Sequence, residues 1–317
     1  MAAEDLEREA YSAPNPNFDT GHIVSLSPDQ PQQIVIAMGG GMDKTGEVFT
    51  FLKENGDGGE VYLSTQATRE QQDTWNTYKR VFDDLQFDTN NLIHIDSTND
   101  TPTPSQLRPK VPRMLVFAGG DQAKIMDEVS DEDRETIVEN NKQGMKVAGW
   151  SAGAAVLGEH MIVGFDPEDL KLNDLDSDPD TNYADDFEIF DGLGLVPNAF
   201  VDQHFTQRER HQRLAEAVTA VAGIHPENPP WGFGVDENTA AIFVDNEYFD
   251  VIGTGTVTVF DGTRRDEWPA EIDSHDIFDG SNGIFTINSG GRFDMGTRQP
   301  VYADIVTFGP QELQTVA

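Results

Sequence analysis

Three short apolar runs in this chain end in glycine, and stretches with helical spacing lie between them. Ile34-Val35-Ile36-Ala37-Met38 leads into Gly39-Gly40-Gly41, Met114-Leu115-Val116-Phe117-Ala118 into Gly119-Gly120, and Met145-Lys146-Val147-Ala148 into Gly149-Trp150-Ser151. Runs this short and this apolar suit strands covered on both faces. Val61-Tyr62-Leu63-Ser64 and Leu92-Ile93-His94-Ile95 read the same way. Helices are predicted over Lys44 to Asn55, over Gln72 to Phe87 (Trp75, Tyr78, Phe82 and Leu85 on one face), over Gln122–Val129 and over Asp131–Lys142. Strands that alternate with helices predict a parallel sheet with helices on both faces, and ligands in such folds sit at the carboxyl ends of the strands. The three glycine-bearing ends are therefore expected to face one crevice.

Ser151 holds the most informative of these ends. Glycine stands two residues to either side of it, at Gly149 and Gly153, in a strand-to-helix setting. This G-x-S-x-G arrangement is the pattern of a nucleophile elbow: small neighbours permit a strained turn that lifts the hydroxyl clear of the sheet, and the helix start aims N–H groups at developing negative charge. The following helix is expected to continue from Ala152 through Met161. Such a serine needs a base. Of the seven histidines, His204 stands at a strand end (Phe200-Val201-Asp202-Gln203-His204) directly before a predicted helix from Thr206 to about Ala222. From Trp231 onward the pattern turns to β, through Gly232–Val235, Ala240–Val244, Tyr248–Ile252, Val257–Phe260 and Ile284–Ile287.

Composition narrows the class. The 57 acids against 21 bases give a formal charge of −36, with 35 Asp to 22 Glu and only 8 Lys to 13 Arg. Nucleic acid and anionic membrane would be repelled, so neither is expected as a partner. Disorder does not follow from the charge, because 37% hydrophobic residues in periodic segments can build a core. An acid-coated, lysine-poor surface is expected instead, of the kind found in salt-loving organisms, with stability that falls at low salt. There is no cysteine, hence no thiolate nucleophile and no disulfide. No apolar run reaches about 18 residues, and the start Met1-Ala2-Ala3-Glu4-Asp5-Leu6-Glu7 is acidic where a signal peptide is basic; a cytoplasmic protein is expected. Residues 1–33 read as an acidic extension, and 34–317 as one catalytic α/β domain with a β-rich segment from about 231.

Several motifs in consistent order resemble one family. Phe117-Ala118-Gly119-Gly120-Asp121-Gln122, Gly149-Trp150-Ser151-Ala152-Gly153-Ala154 and Asp202-Gln203-His204-Phe205-Thr206-Gln207-Arg208, with Arg213 beyond, are similar to the cyanophycinase family of serine peptidases, relatives of aspartyl dipeptidase. Gly39-Gly40-Gly41-Met42-Asp43-Lys44, Gly192-Leu193-Gly194-Leu195-Val196-Pro197 and Gly234-Val235-Asp236-Glu237-Asn238-Thr239-Ala240 resemble its other signatures, so the likeness covers about residues 34–262.

The resemblance implies a three-layer, mostly parallel α/β fold, flavodoxin-like in the manner of class I glutamine amidotransferases, with a C-terminal β-rich extension. It implies Ser151 as nucleophile, His204 as base, oxyanion donors at Ala152 and Gly120, and substrate-binding positions at Gln122, Asp202, Gln203, Arg208 and Arg213. The family's acid falls some 15–18 residues after the serine, so Asp169 is the first candidate here, followed by Glu168 and Asp166. The Ser151-to-His204 interval is longer than the family's, which would allow an insertion to have moved that acid. No cofactor or metal is implied. The stretch Asp174-Leu175-Asp176-Ser177-Asp178-Pro179-Asp180 echoes a calcium loop, but proline stands where that loop has its glycine, and an acidic surface loop is the better reading. Trp150 either narrows the pocket or packs behind the elbow. The expected activity is exopeptidase hydrolysis of cyanophycin, a poly-aspartate carrying arginine on its side chains, by a homodimer. The alternatives are a dipeptidase for short aspartyl or isoaspartyl peptides and an inactive relative that serves as a binding protein. A general α/β-hydrolase esterase is disfavoured by the lack of a His-Gly-Gly oxyanion segment.

Overall fold

A computed structural model describes residues 32–41, 46–97, 111–164, 187–273 and 277–301. Strand β1 (Ile34–Met38) is buried along its whole length, and helix α1 (Glu47–Gly56) turns Val48, Phe49 and Leu52 inward. Strand β2 (Val61–Ser64), helix α2 (Gln71–Asp84), strands β3 (Leu92–Ile95) and β4 (Met114–Phe117), helices α3 (Gln122–Glu128) and α4 (Asp131–Lys142) and strand β5 (Lys146–Trp150) follow. All five strands run parallel, in the order β1-β5-β4-β2-β3. Helix α2 stops earlier than its apolar spacing predicts, because Gln86 turns into the left-handed region (φ 62). Phe87 still packs edge-on against Phe82 from outside the helix.

One expectation is corrected after the elbow. Helix α5 is a single turn, Ala152–Ala155, and the residues expected to prolong it form strand β6 (Gly158–Gly164). Alanine favours helix, but β6 pairs on both sides, antiparallel with β7 (Phe187–Asp191) and parallel with β8 (Val196–Gln203), and that pairing overrides local propensity. A short 3₁₀ turn, Thr206–Arg208, separates β8 from helix α6 (His211–Ile224), where one continuous helix was expected.

The remaining strands are β9 (Trp231–Val235), β10 (Thr239–Val244), β11 (Tyr248–Gly253), β12 (Thr256–Asp261), β13 (Ile284–Asn288), β14 (Arg292–Asp294) and β15 (Gln299–Val301). They do not form a separate layer at the end of the chain. Strands β10, β11, β14 and β15 extend the first sheet beside β1, whereas β9, β12 and β13 complete a second sheet with β8, β6 and β7. The chain passes from the second sheet to the first between β9 and β10 and returns between β11 and β12. The fold is the expected α/β type with extra C-terminal strands; where a mostly parallel sheet was expected, the described residues form two mixed sheets whose parallel pairs lie in β1-β5-β4-β2-β3 and β6-β8-β9, the C-terminal strands β10 to β15 joining by antiparallel pairing.

A shared core lies between the sheets. Val35, Ala37 and Val147 from the first sheet meet Val201, Phe233 and Val257 from the second, around the ring cluster Phe233, Phe243, Phe249 and Phe293. Helices α1 and α2 cover the outer face of the first sheet, and α6 covers that of the second through Leu214 and Val218. Among the described residues no helix is long and apolar enough to cross a membrane.

Candidate active site

The site is built on the glycine turn that follows β1. The carbonyl of Met38 accepts the N–H of Ser151 at 2.9 Å, that of Gly39 accepts the N–H of His204 at 2.7 Å, and that of Gly40 accepts the N–H of Asn238 at 2.8 Å. Three loops from three parts of the sequence therefore hang from three consecutive carbonyls. Gly40 adopts φ +104, and a Cβ there would lie 2.2 Å from Cε1 of His204, so only glycine lets the imidazole lie against this turn.

Ser151 occupies the sharp bend between β5 and α5, with φ 53 and ψ −116. The bend is tight because neighbouring backbones touch: a Cβ on Gly149 would meet the carbonyl of Gly153 at 2.0 Å, and one on Gly153 would meet that of Phe117 at 2.2 Å. His204 also has positive φ, at 46. Two non-glycine residues in the left-handed half of conformational space, side by side in one cleft, are strain of the kind that collects at functional sites.

Ser151 Oγ lies 2.8 Å from Nε2 of His204, and Nδ1 of the same ring lies 2.5 Å from Oε1 of Glu237. A carboxylate can only accept, so Nδ1 carries the ring proton and Nε2 is left to accept from the serine hydroxyl. Burial pushes the pKa of His204 down. Glu237 pulls the other way, the charges of Arg208 and Arg210 add to the lowering, and the balance stays below the usual histidine value. The ring is therefore neutral at pH 7, the form that can take a proton.

Gly119 approaches the serine so closely that a Cβ on it would stand 3.2 Å from Cβ of Ser151. In this turn the N–H of Asp121 is taken by the carbonyl of Ala67 at 2.8 Å, and Gly120 (φ +144) leaves no room for a side chain against that same carbonyl. Ala152 opens helix α5 directly after the serine. Trp150 packs beneath the elbow on Phe49, at 4.7 Å between ring centroids, and is buried.

The five residues expected to bind substrate divide into two groups. Gln203 is at the serine, its Oε1 3.4 Å from Ser151 Oγ, and exposed Arg208 lies one turn beyond His204. Gln122, Asp202 and Arg213 bond to other parts of the fold. Gln122 donates to the carbonyl of Ile162 at 2.7 Å. Asp202 is buried beneath Gln203 and takes both arms of Arg213, at 3.0 and 2.5 Å, with Arg210 at 3.5 Å. Burial alone would raise the pKa of Asp202, but the two guanidinium charges outweigh it and hold the carboxyl below its usual range.

Asp166, Glu168 and Asp169, and the acidic stretch from Asp174 to Asp180, lie outside the described residues. The carboxylate on His204 belongs to Glu237, which sequence reasoning passed over although it stands in the quoted stretch Gly234-Val235-Asp236-Glu237. The available signal was position: an acid two residues past a glycine-rich strand end (Trp231–Val235) that reaches the same edge as Ser151 and His204. Among the described residues no group of three or more His, Asp or Glu is arranged to hold a metal ion.

The chain matches Peptidase family S51 over residues 36–252. It is 29% identical over 257 residues to the cyanophycinase of Trichormus variabilis, covering 78% of this chain and 80% of that one. To the cyanophycinase of Geminocystis herdmanii it is 33% identical over 199 residues, covering 59% and 64%. Among solved structures, a peptidase from an acI-B1 Actinobacterium superposes with a TM-score of 0.51 at 19% identity, over 84% of this chain and 98% of that one, a likeness of fold. The matched span contains the serine, the histidine and the glutamate brought together above, and the chain belongs to peptidase family S51, the serine-type hydrolases of this fold.

Proposed function

We propose that the protein is a cyanophycinase-like exopeptidase that cleaves aspartyl peptide bonds through Ser151, His204 and Glu237. The observation that carries this reading is the unbroken contact from Ser151 Oγ through the imidazole to Glu237. His204 takes the serine proton at Nε2 as Oγ attacks the scissile carbonyl, and Glu237 stabilises the imidazolium that results. The same Nε2 proton then goes to the leaving amine. The N–H groups of Ala152 and Gly120 receive the oxyanion, each worth roughly 3–4 kcal/mol of barrier in comparable sites. Gln203 and Arg208 face the substrate, where a planar guanidinium suits a carboxylate. Asp202 and Arg213 act from beneath, by holding the strand end that carries Gln203.

The substrate is assigned as cyanophycin on the strength of the relatives' name and of an exposed guanidinium, Arg208, whose charge acts on His204, and the intact contact chain opposes the reading as an inactive binding protein. A cytoplasmic homodimer working at high ionic strength completes the proposal; sedimentation at molar KCl tests the dimer. Ser151 should react with a fluorophosphonate probe, and Ser151→Ala should abolish labelling. Incubation with cyanophycin should release β-aspartyl-arginine. Release only from Asp-X or isoAsp-X dipeptides would move the substrate to short peptides, and an unlabelled wild-type protein would end the serine-peptidase assignment.

A further inference from the structure

Asp236 stands beside Glu237 in the crossing from β9 to β10, and it is buried. Its Oδ1 accepts the N–H of Thr206 at 3.0 Å. Its Oδ2 accepts the N–H of Thr256 at 3.0 Å and the hydroxyl of the same residue at 2.9 Å. Thr206 is two residues past His204, and Thr256 opens β12. A reciprocal bond runs the other way: the N–H of Glu237 donates to Oε1 of Gln207 at 2.9 Å. The pair Asp236-Glu237 and the pair Thr206-Gln207 therefore hold each other, and Asp236 anchors both to the second sheet. Gly255 closes over the carboxylate, since a Cβ there would lie 2.7 Å from Cβ of Asp236.

This clamp sits where the site needs one. His204 has a left-handed backbone, so its turn must be held from outside to keep the ring against Gly40. Glu237 reaches the ring from a loop, and its side chain is 35% exposed, against 12% for His204. Its contact with Nδ1 thus depends on the separation of two chain segments, which is spanned by the Thr206–Asp236 and Glu237–Gln207 bonds, while the two bonds from Thr256 hold the buried carboxylate in place on the second sheet. We propose that Asp236 is a positioning residue: it sets the His204–Glu237 contact by tying the histidine turn to the glutamate loop, and touches no substrate itself. The inference rests on the triad reading above, and the following experiment separates the two.

Asp236→Asn keeps the shape but, whichever way the amide is turned, sets its NH₂ against a backbone N–H, of Thr206 or of Thr256, that can only donate. It should lower kcat by about 10–100-fold with KM changed far less, the scale on which small misplacements in an active site act. In a Glu237→Gln background the same change should cost less than about threefold, because the contact it protects is already gone. In the substrate-free enzyme, the downfield Nδ1–H proton resonance of His204 should move upfield or broaden in Asp236→Asn. An equal loss of kcat in both backgrounds, or an unmoved resonance in folded Asp236→Asn, overturns the inference while leaving the triad intact. Wild-type kcat in Glu237→Gln alone overturns the triad reading, and the inference with it. Should Asp236→Asn not fold, Thr256→Val, which removes one of the three donors, gives the same comparison: a several-fold loss of kcat in the wild-type background and none with Glu237→Gln supports the inference, and equal effects in the two overturn it.

Discussion

At the residue scale, the site turns on one imidazole whose two nitrogens have different partners. Burial lowers the pKa of His204 and the arginine charges lower it further, whereas Glu237 raises it. With the neutral ring as the proposed base, kcat/KM should stay level as pH falls to about 6.5, the ordinary histidine value, and decline only below it as the ring takes a proton. Replacing Glu237 by glutamine removes a raising influence, so that acid limb should move to still lower pH. The same substitution should lower kcat by about 10²–10⁴-fold, since the imidazolium loses its counter-charge and the ring its fixed tautomer. A pH–rate profile on both proteins checks this. A limb that moves upward in Glu237→Gln, or a kcat within a factor of about three of wild type, would contradict the assignment. The shift also fixes a stability trend. The unfolded chain binds the proton more readily than the native ring, so His204 opposes folding as pH drops through its lowered pKa and has no effect above the ordinary value.

At the scale of elements, the elbow works because a one-turn helix presses onto two strands. Helix α5 begins with Ala152, Gly153, Ala154 and Ala155, all buried, and Gly153 lies against the backbone of β4. Gly153→Ala should destabilise the protein by about 1–3 kcal/mol or more, because a methyl group 2.2 Å from the carbonyl of Phe117 must push backbone rather than a side chain. The midpoint of a denaturant titration measures it, and an unchanged midpoint would mean that α5 is free to lift from the sheet. The same crowding explains why α5 ends early. The chain has to leave the elbow to reach β6, which continues the second sheet between β7 and β8. Nothing in the alanine-rich sequence marks that exit except Gly158, whose close approach to the carbonyl of Ala199 is a tertiary contact.

At the scale of the whole molecule, 57 acids face 21 bases, and the net charge of −36 repels itself over the entire surface. Salt shortens the range of that repulsion, to a Debye length of about 3 Å at 1 M against about 10 Å at 0.1 M. The melting temperature should therefore rise between 0.1 and 1 M KCl (about those concentrations), and a flat response would show that the acids are compensated locally. What the sequence determined by itself is what short-range physics writes into it. Apolar runs ending in glycine dictate strands whose carboxyl ends carry turns, G-x-S-x-G dictates a bend that exposes Ser151, and the charge count dictates the coat. Those are properties of contiguous residues. Only the tertiary structure decided that two sheets share the site, that Asp202 and Arg213 face each other beneath it, and that Glu237 is the acid on His204. The sheet crossing from β9 to β10 brings Glu237 to a histidine 33 residues earlier in the chain, and a sequence records such a meeting only through the packing that forces it.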